Sequence, residues 1–455
     1  MKIGLVFPRF KYPSGDPPLG VTYIASNLRK NGYDVEIFDA TFMKSYEHLY
    51  SQIQKSKFDI IGISLMTTLL QDSLNIAKWI KKNSPGTLVV FGGPHPTVMP
   101  KEVLENPEVD AVCIGEAEQT FLDLIKNINN LKKVKGIAYK ENGDIIFNDP
   151  QIPIENLDSL PFPAFDLVDM KKYFEIWFQL DSVSPNLKGL GIISSRGCPF
   201  NCSYCQPTLF KLFGKNIRKR SPKNIVKEII HWKEKYNINA WLFADDTFTF
   251  DKEWVYKICD EIIANDLNLV WGCNGRANLI DEQLYKYMKQ AGLRKVFIGV
   301  ESGSQRILDQ IYQKQIKIED VTKSVNILNK LNIKIQAYFM LGAPTETEEE
   351  INKTISFAKQ LKIDEATFSI TTPLPCTYLY EKTKHFIEKE ISEFDYYKTP
   401  VYRKNKDQIS PKRLDYLKKK ALLSFYLSHN HFMPVMKQFL QLTSLKKSIL
   451  KLKRF

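Results

Sequence analysis

Short apolar runs, rich in β-branched residues, alternate along the first third of the chain with longer stretches of helical apolar spacing. The runs at 2–7, 35–39, 60–65, 88–91 and 111–114 predict five strands, and the stretches at 21–30 and 73–82 predict amphipathic helices between them. Such alternation predicts an α/β fold that opens with a Rossmann-like, doubly wound parallel sheet over residues 1–135, helices covering both faces. Ligands of such sheets lie beyond the carboxyl ends of the strands. The loops Gly92-Gly93-Pro94-His95 and Gly115-Glu116-Ala117-Glu118 are therefore candidate contacts.

Residues 136–149 predict a β-hairpin turned at Asn142-Gly143, and the Pro-rich stretch from 153 to 163 suits a linker, so 136–180 is set apart as a connecting region. A second strand–helix series follows. Its strands are expected at 190–195, 240–244, 269–272, 295–300, 335–341 and 366–371, with helices at 223–235, 253–264 and 281–291. Six such units can curve into a partial, TIM-like (β/α)6 barrel over 181–390, with its chemistry at the C-terminal strand ends. From about residue 408 the pattern turns helical, basic and aromatic, giving a helical C-terminal region over 391–455.

With 44% hydrophobic and 25% charged residues, the chain has a globular composition, which excludes a disordered protein. No run of about 18 uncharged apolar residues is present, so no membrane span is expected. The N-terminus reads as a first strand rather than a signal peptide, and a cytoplasmic location is expected. Seven cysteines in 455 residues are not a disulfide framework, least of all with three inside eight residues. The charge is uneven. Residues 401–455 hold 14 Lys and Arg against Asp407 and Asp415, which is +12 of the formal +13.

Arg196-Gly197-Cys198-Pro199-Phe200-Asn201-Cys202-Ser203-Tyr204-Cys205 spaces its cysteines as C-x3-C-x2-C directly after a predicted strand. Three thiolates can hold three irons of a cubane and leave the fourth open. A structural zinc site wants four ligands, and no fourth stands close by. The loop resembles the signature of the radical S-adenosylmethionine superfamily. The resemblance implies a [4Fe–4S] cluster on Cys198, Cys202 and Cys205, whose open iron chelates S-adenosylmethionine. It also implies an external electron donor of flavodoxin or ferredoxin type.

Further motifs carry the resemblance along the chain to about residue 390. Tyr204 matches the aromatic that packs on the adenine. Phe243-Ala244-Asp245-Asp246-Thr247-Phe248 ends the second barrel strand, which implies Asp245 and Asp246 as acceptors for the methionine ammonium. Ile298-Gly299-Val300-Glu301-Ser302-Gly303-Ser304 ends the fourth, implying Glu301 and Ser302 beside the ribose. Phe339-Met340-Leu341-Gly342-Ala343-Pro344-Thr345-Glu346-Thr347 resembles the adenine-contacting segment, with Gly342 at the close approach. Arg276, after the third strand, is a candidate partner for a carboxylate of cofactor or substrate.

The first third is similar to the cobalamin-binding-domain subclass, which contains the anaerobic magnesium-protoporphyrin ester cyclase and many methylases. The shared segments are Asp16-Pro17-Pro18-Leu19-Gly20, Ile61-Gly62-Ile63-Ser64-Leu65-Met66-Thr67, Gly92-Gly93-Pro94-His95-Pro96-Thr97 and Ile114-Gly115-Glu116-Ala117-Glu118-Gln119-Thr120. They imply cobalamin contacts at Leu19, Ser64, Met66, Thr67, Gly92, Gly93, Pro94, His95, Gly115 and Glu116. Two features depart from the pattern. The Asp-x-His-x-x-Gly motif that supplies cobalt with a lower axial histidine is missing, leaving His95 as an alternative neighbour. Cys376 stands where a glycine usually sits and is a candidate substrate contact. Cys113, Cys259 and Cys273 read as core thiols.

The expected activity is generation of a 5′-deoxyadenosyl radical to functionalise an unactivated carbon, as a cobalamin-dependent C-methyltransferase acting on a small-molecule or lipid-like substrate. A cyclase or C–C-coupling enzyme on a lipid or tetrapyrrole is the alternative. An RNA-modifying, methylthiotransferase-like enzyme is a third reading, opposed by the lack of three further cysteines in residues 1–120, so a nucleic-acid partner is not expected. The run 421–427, flanked by Lys418–Lys420, suits either an amphipathic helix on anionic lipid at the inner membrane surface or a helix with a solvated basic face that closes the barrel.

Overall fold

The structure is a computed structural model that describes residues 1–9, 15–205, 216–394, 409–428 and Lys447. Seven strands form the first sheet: β1 (Ile3–Phe7), β2 (Val35–Asp39), β3 (Ile60–Ser64), β4 (Leu88–Gly92), β5 (Ala111–Cys113), β6 (Ile137–Glu141) and β7 (Asp144–Phe147). Their order is β2-β1-β3-β4-β5-β6-β7, parallel through β5 and antiparallel from β5 to β7. The expected hairpin, turned with Asn142 and Gly143 both at positive φ, thus extends this sheet. Strand periodicity of two sends Ile3 and Leu5 to one face, against helices Leu19–Lys30 and Ala117–Lys126, and Val6 to the other, against Tyr46–Ile53 and Leu70–Asn83. Chain order reverses between β1 and β3, and the crevice above that point opens toward the second sheet.

The second sheet comprises β8 (Gly189–Ile192), then β11 (Ala240–Phe243), β12 (Val270–Gly275), β13 (Leu293–Glu301), β14 (Lys334–Leu341) and β15 (Glu365–Ile370), all parallel, as the six-unit partial barrel requires. Between β8 and β11 lies a two-residue antiparallel ladder, β9 (Ser195–Arg196) on β10 (Arg218–Lys219). The first barrel strand stops at Ile192 rather than 195 for a local reason. Ser194 donates its backbone N–H (3.2 Å) and hydroxyl (2.8 Å), and Ser195 its hydroxyl (2.5 Å), to the Asp245 carboxylate, which turns the chain out of the sheet. The barrel lumen is filled from below by Trp177 and Leu180, which pack with Ala240, Leu242 and Phe297.

The C-terminal helix Pro411–Tyr426 covers edge strand β15. Leu414, Leu417, Ala421, Leu422 and Phe425 join the barrel core, while the Tyr426 hydroxyl accepts from the Ala366 N–H (3.2 Å) and donates to its carbonyl (2.9 Å). An uncovered edge would expose just such backbone groups. Of the two expected placements for the apolar run, the barrel takes most of its residues, leaving Leu423 and Leu427 exposed. Among the described residues, no helix is long and apolar enough to cross a membrane.

Candidate functional site

The cysteine loop leaves β9 through Gly197, whose φ of +110° and 2.5 Å approach of the Asn216 carbonyl to any added Cβ require glycine. It is pinned from both sides, Ser203 N–H donating to the Tyr312 carbonyl (2.9 Å) and Leu379 N–H to the Ser203 carbonyl (2.8 Å). Cys198 Sγ lies 3.6 Å from the Thr247 hydroxyl, and Arg276 Nη1 lies 3.7 Å from Cys202 Sγ. None of the three cysteines forms a disulfide, and Cys205 is exposed. Among the described residues, no three His, Cys, Asp or Glu side chains converge to hold a single ion. A cubane asks for something different, one thiolate per iron, and thiols spread along an open loop with N–H and O–H donors beside two sulfurs fit that demand.

Arg276 is not aimed at open space. Its guanidinium stacks 3.8 Å over Phe200, Nη2 donates to the Lys314 carbonyl and Nε to Asn278 (3.0 Å), so it braces the cysteine loop against the fourth strand's loop.

Tyr204 stands edge-on to Tyr312 at 4.9 Å, and its hydroxyl accepts from Lys314 Nζ at 3.1 Å. The same ammonium donates to Glu301 at 2.9 Å. Burial first, then the Glu301 charge, push the Tyr204 phenol well above its ordinary range. Glu301 takes a positive φ of +70° where the β13–β14 register shifts, which turns its carboxylate back over Gly299. A Cβ on Gly299 would lie 2.4 Å from Glu301 Oε1 and 2.8 Å from Lys314 Nζ. Lys314 was absent from the sequence reading because it lies off any strand end. No spacing rule marks it.

The remaining strand-end residues divide. Asp245 borders the cavity between the two sheets but is buried, and its oxygens accept from Ser194 and Ser195. Asp246 is open to the cavity between the two sheets, yet protein surrounds it on the other sides. Burial, helped by the Asp245 charge, pushes its carboxyl up to about 6. Ser302 is buried with its hydroxyl on Thr354 (3.2 Å) and Ser304 N–H (3.1 Å), so it shapes the turn rather than facing a ligand. Gly342 (φ +80°) lies under Leu414 of the C-terminal helix, which leaves no space for a Cβ. Glu346, also missed, accepts from the N–H groups of Gly342 (2.6 Å) and Ala343 (2.9 Å).

A cavity of about 390 Å³ opens where the strand ends of the two sheets face one another. The first sheet contributes Ser64, Gly92, Gly93, Pro94 and Gly115; the second contributes Ser195, Gly197 and Asp246. Val21, Ile24 and Thr97 line it too, without having been marked in the sequence. A Cβ at Gly20 would meet only open space, so that wall is a bare backbone surface able to approach a large flat group. Leu19, Met66, Thr67 and His95 stand outside the lining. His95 is fully buried, Nδ1 3.2 Å from Thr67 Oγ1, and burial lowers its pKa to about 4. It is thus a neutral interior residue. Glu116 borders the cavity, but its carboxylate is occupied by Arg196, Arg218 and the Ile154 N–H. Cys376 sits at φ +64°, the conformation glycine favours, with Sγ 3.3 Å from the Val98 carbonyl and 3.8 Å from Met99 Sδ. It touches the C-terminal end of the short helix Pro94–Val98 that follows β4. Cys113 and Cys259 are buried thiols pushed up to about 12 by burial, as core residues.

Comparison with known proteins matches this geometry. Residues 11–125 match the B12 binding domain family and residues 192–358 the Radical SAM superfamily. The chain is 37% identical over 370 residues to the uncharacterized methyltransferase PH0819 of Pyrococcus horikoshii, covering 80% of this chain and 78% of that one. It is 30% identical over 401 residues to the anaerobic magnesium-protoporphyrin IX monomethyl ester cyclase of Rubrivivax gelatinosus, covering 85% and 70%. Its fold is shared with the radical S-adenosylmethionine methyltransferase TsrM of Kitasatospora setae (TM-score 0.70, 17% identity, 84% and 74% covered). With both matched segments falling on the two sheets whose strand ends enclose the cavity, the chain belongs to the radical SAM enzymes that carry a B12 binding domain.

Proposed function

We propose that this enzyme is a cobalamin-dependent radical SAM methyltransferase acting on an unactivated carbon of a small-molecule substrate. The observation that supports the reading is the cavity bounded by the strand ends of both sheets, which sets the B12-domain loops at Ser64, Gly92, Gly93 and Gly115 opposite Asp246 and the base of the cysteine loop at Gly197. When bound, the cluster supplies the electron that cleaves S-adenosylmethionine to a 5′-deoxyadenosyl radical, and cobalamin carries the methyl group. Cys198, Cys202 and Cys205 hold the cluster, with Arg276 and Thr247 directing donors at two of its sulfurs. Asp246 receives the methionine ammonium, and the Tyr204–Lys314–Glu301 row presents an aromatic face, a cation and a carboxylate to the rest of S-adenosylmethionine. Ser64, Gly92, Gly93, Pro94, Thr97 and Gly115 cradle the corrin.

Anaerobic turnover of the reconstituted protein decides between this reading and the cyclase alternative, which the Rubrivivax relative favours. S-adenosylhomocysteine together with 5′-deoxyadenosine is expected; 5′-deoxyadenosine alone would sink methylation. The electron comes from an external flavodoxin- or ferredoxin-type donor. The exposed Lys412, Tyr416, Lys419 and Leu423 share one outward helix face that suits anionic lipid. Absence of pelleting with anionic vesicles at low salt would remove that contact.

A further inference from the structure

Glu116 and Glu118 stand at the start of helix Ala117–Lys126 in the B12 binding domain, and both reach across to the base of the cysteine loop. Arg196 and Arg218 are register partners in the β9–β10 ladder, so they rise together from the two strands that open and close that loop. Arg196 divides its guanidinium between the two acids, Nη1 on Glu116 at 2.8 Å and Nη2 on Glu118 at 2.6 Å. Arg218 takes both oxygens of Glu116, at 2.7 and 2.8 Å, and the Ile154 N–H adds a further donor at 2.9 Å. The exposures of Glu116 and Glu118 are 9% and 7%, and those of Arg196 and Arg218 are 16% and 13%, so water competes for little of this network. Burial works against the Glu116 charge, but the two guanidiniums win and hold its carboxyl below the ordinary range.

A carboxylate has room for about four donors, so Glu116 is filled and has no capacity left for a ligand. Buried pairs of this kind add little net stability because desolvation offsets the attraction; what they supply is geometry, since forked Arg–carboxylate bonds hold only in one arrangement. Domains joined by a modest interface move relative to one another by default. The chemistry proposed above suffers from such motion, because reacting groups must meet within a narrow range of distance and angle.

We infer that Glu116 and Glu118, acting through Arg196 and Arg218, are positioning residues that fix the cobalamin-side strand ends against the cluster loop. This rests on the two-cofactor reading of the cavity. The test uses the full chain, reconstituted anaerobically with iron and sulfide and loaded with hydroxocobalamin. One-electron reduction of each group with dithionite would take the cluster from its diamagnetic 2+ to its paramagnetic 1+ state and the added Co(III) to paramagnetic Co(II), and their dipolar coupling is read by pulsed EPR, with no substrate required. The wild type is expected to give a single cluster–cobalt separation. Glu116→Gln/Glu118→Gln, which keeps shape and removes charge, is expected to lose that single maximum while retaining iron and cobalamin. Arg218→Lys, which keeps charge and loses the fork, is expected to do the same and serves should the double variant fold poorly. Wild-type coupling in variants that hold both cofactors overturns the inference. A wild-type chain that takes up the cluster but no cobalamin overturns the two-cofactor reading and the positioning role with it; a failure confined to the variants' coupling concerns the positioning role alone.

Discussion

Glu346 makes the structure's most quantitative demand. Only 2% exposed, it directs Oε2 at the N–H groups of Gly342 and Ala343, while Oε1 has no partner among the described residues. Burial raises the carboxyl from an ordinary 4.5 to about 8, outweighing the two backbone donors that pull it down. Because the folded value lies above the unfolded one, the folded chain holds a proton that the unfolded chain has released between those limits. The associated stability is fully present below pH 4.5 and is lost as the pH rises through about 8. At roughly 1.4 kcal/mol per unit, the whole span amounts to about 5 kcal/mol as an upper figure.

Glu346→Gln keeps an oxygen for the same two N–H groups and cannot ionise. Near pH 5 the two proteins should unfold within about 1–2 kcal/mol of each other, since each buries a neutral donor group at Oε1 without an acceptor, one O–H in the acid and an NH2 in the amide. Above pH 8 the glutamine variant should be the more stable by several kcal/mol, of order the span above. Urea unfolding of the cofactor-free chain, followed by tryptophan fluorescence under anaerobic conditions at pH 5.5, 7 and 8.5, reads the difference. Midpoints that shift in parallel for both proteins would refute the reasoning, showing that the backbone donors hold Glu346 ionised throughout. Ionisation also loads charge beneath the Gly342–Ala343 turn.

Two further perturbations follow from close approaches. Gly299→Ala puts a methyl 2.4 Å from Glu301 Oε1 and 2.8 Å from Lys314 Nζ, so the pair must separate. Overpacking of this kind costs about 1–3 kcal/mol, and calorimetric binding of S-adenosylmethionine should weaken while iron content holds; unchanged binding would count against the Tyr204–Lys314–Glu301 row. Cys376→Gly relieves a φ of +64° worth about 1 kcal/mol or more and should leave thermal stability equal or raised, whereas Cys376→Val should lower it. If valine is tolerated as well as glycine, backbone strain at this position is not what decides.

What the sequence disclosed and what it hid divide along a physical line. Strand ends were legible because apolar runs terminate sharply at polar or glycine-bearing loops, and a parallel sheet must place those loops on one side. The cysteine loop and the Gly92-Gly93 turn stand at such ends, as do Asp246 and Glu301, which the family resemblance singled out there. Which polar group at a strand end faces a ligand was not legible. Asp245 and Asp246 are neighbours of identical chemistry, yet the first is consumed by Ser194 and Ser195 from another strand. Glu116 is consumed likewise by arginines 80 and 102 residues away in sequence. Lys314 escaped because its placement depends on a loop packed under Tyr204, a contact with no sequence period.

The C-terminal helix shows the same principle from the opposite side. A run of apolar residues beside lysines reads equally as lipid-facing or barrel-facing, because amphipathicity specifies that a face is buried without saying against what. The fold supplies the missing term. A partial barrel of six strands leaves β15 at an edge with unpaired backbone groups, and a helix bearing both an apolar face and a hydroxyl at the right height covers them. Leu414, Leu417, Ala421 and Phe425 provide the face and Tyr426 the hydroxyl, while Leu414 also roofs Gly342. The helix thereby connects edge protection to the turn that Glu346 holds, so the segment most easily read as an appendage packs directly on the end of the fifth barrel strand.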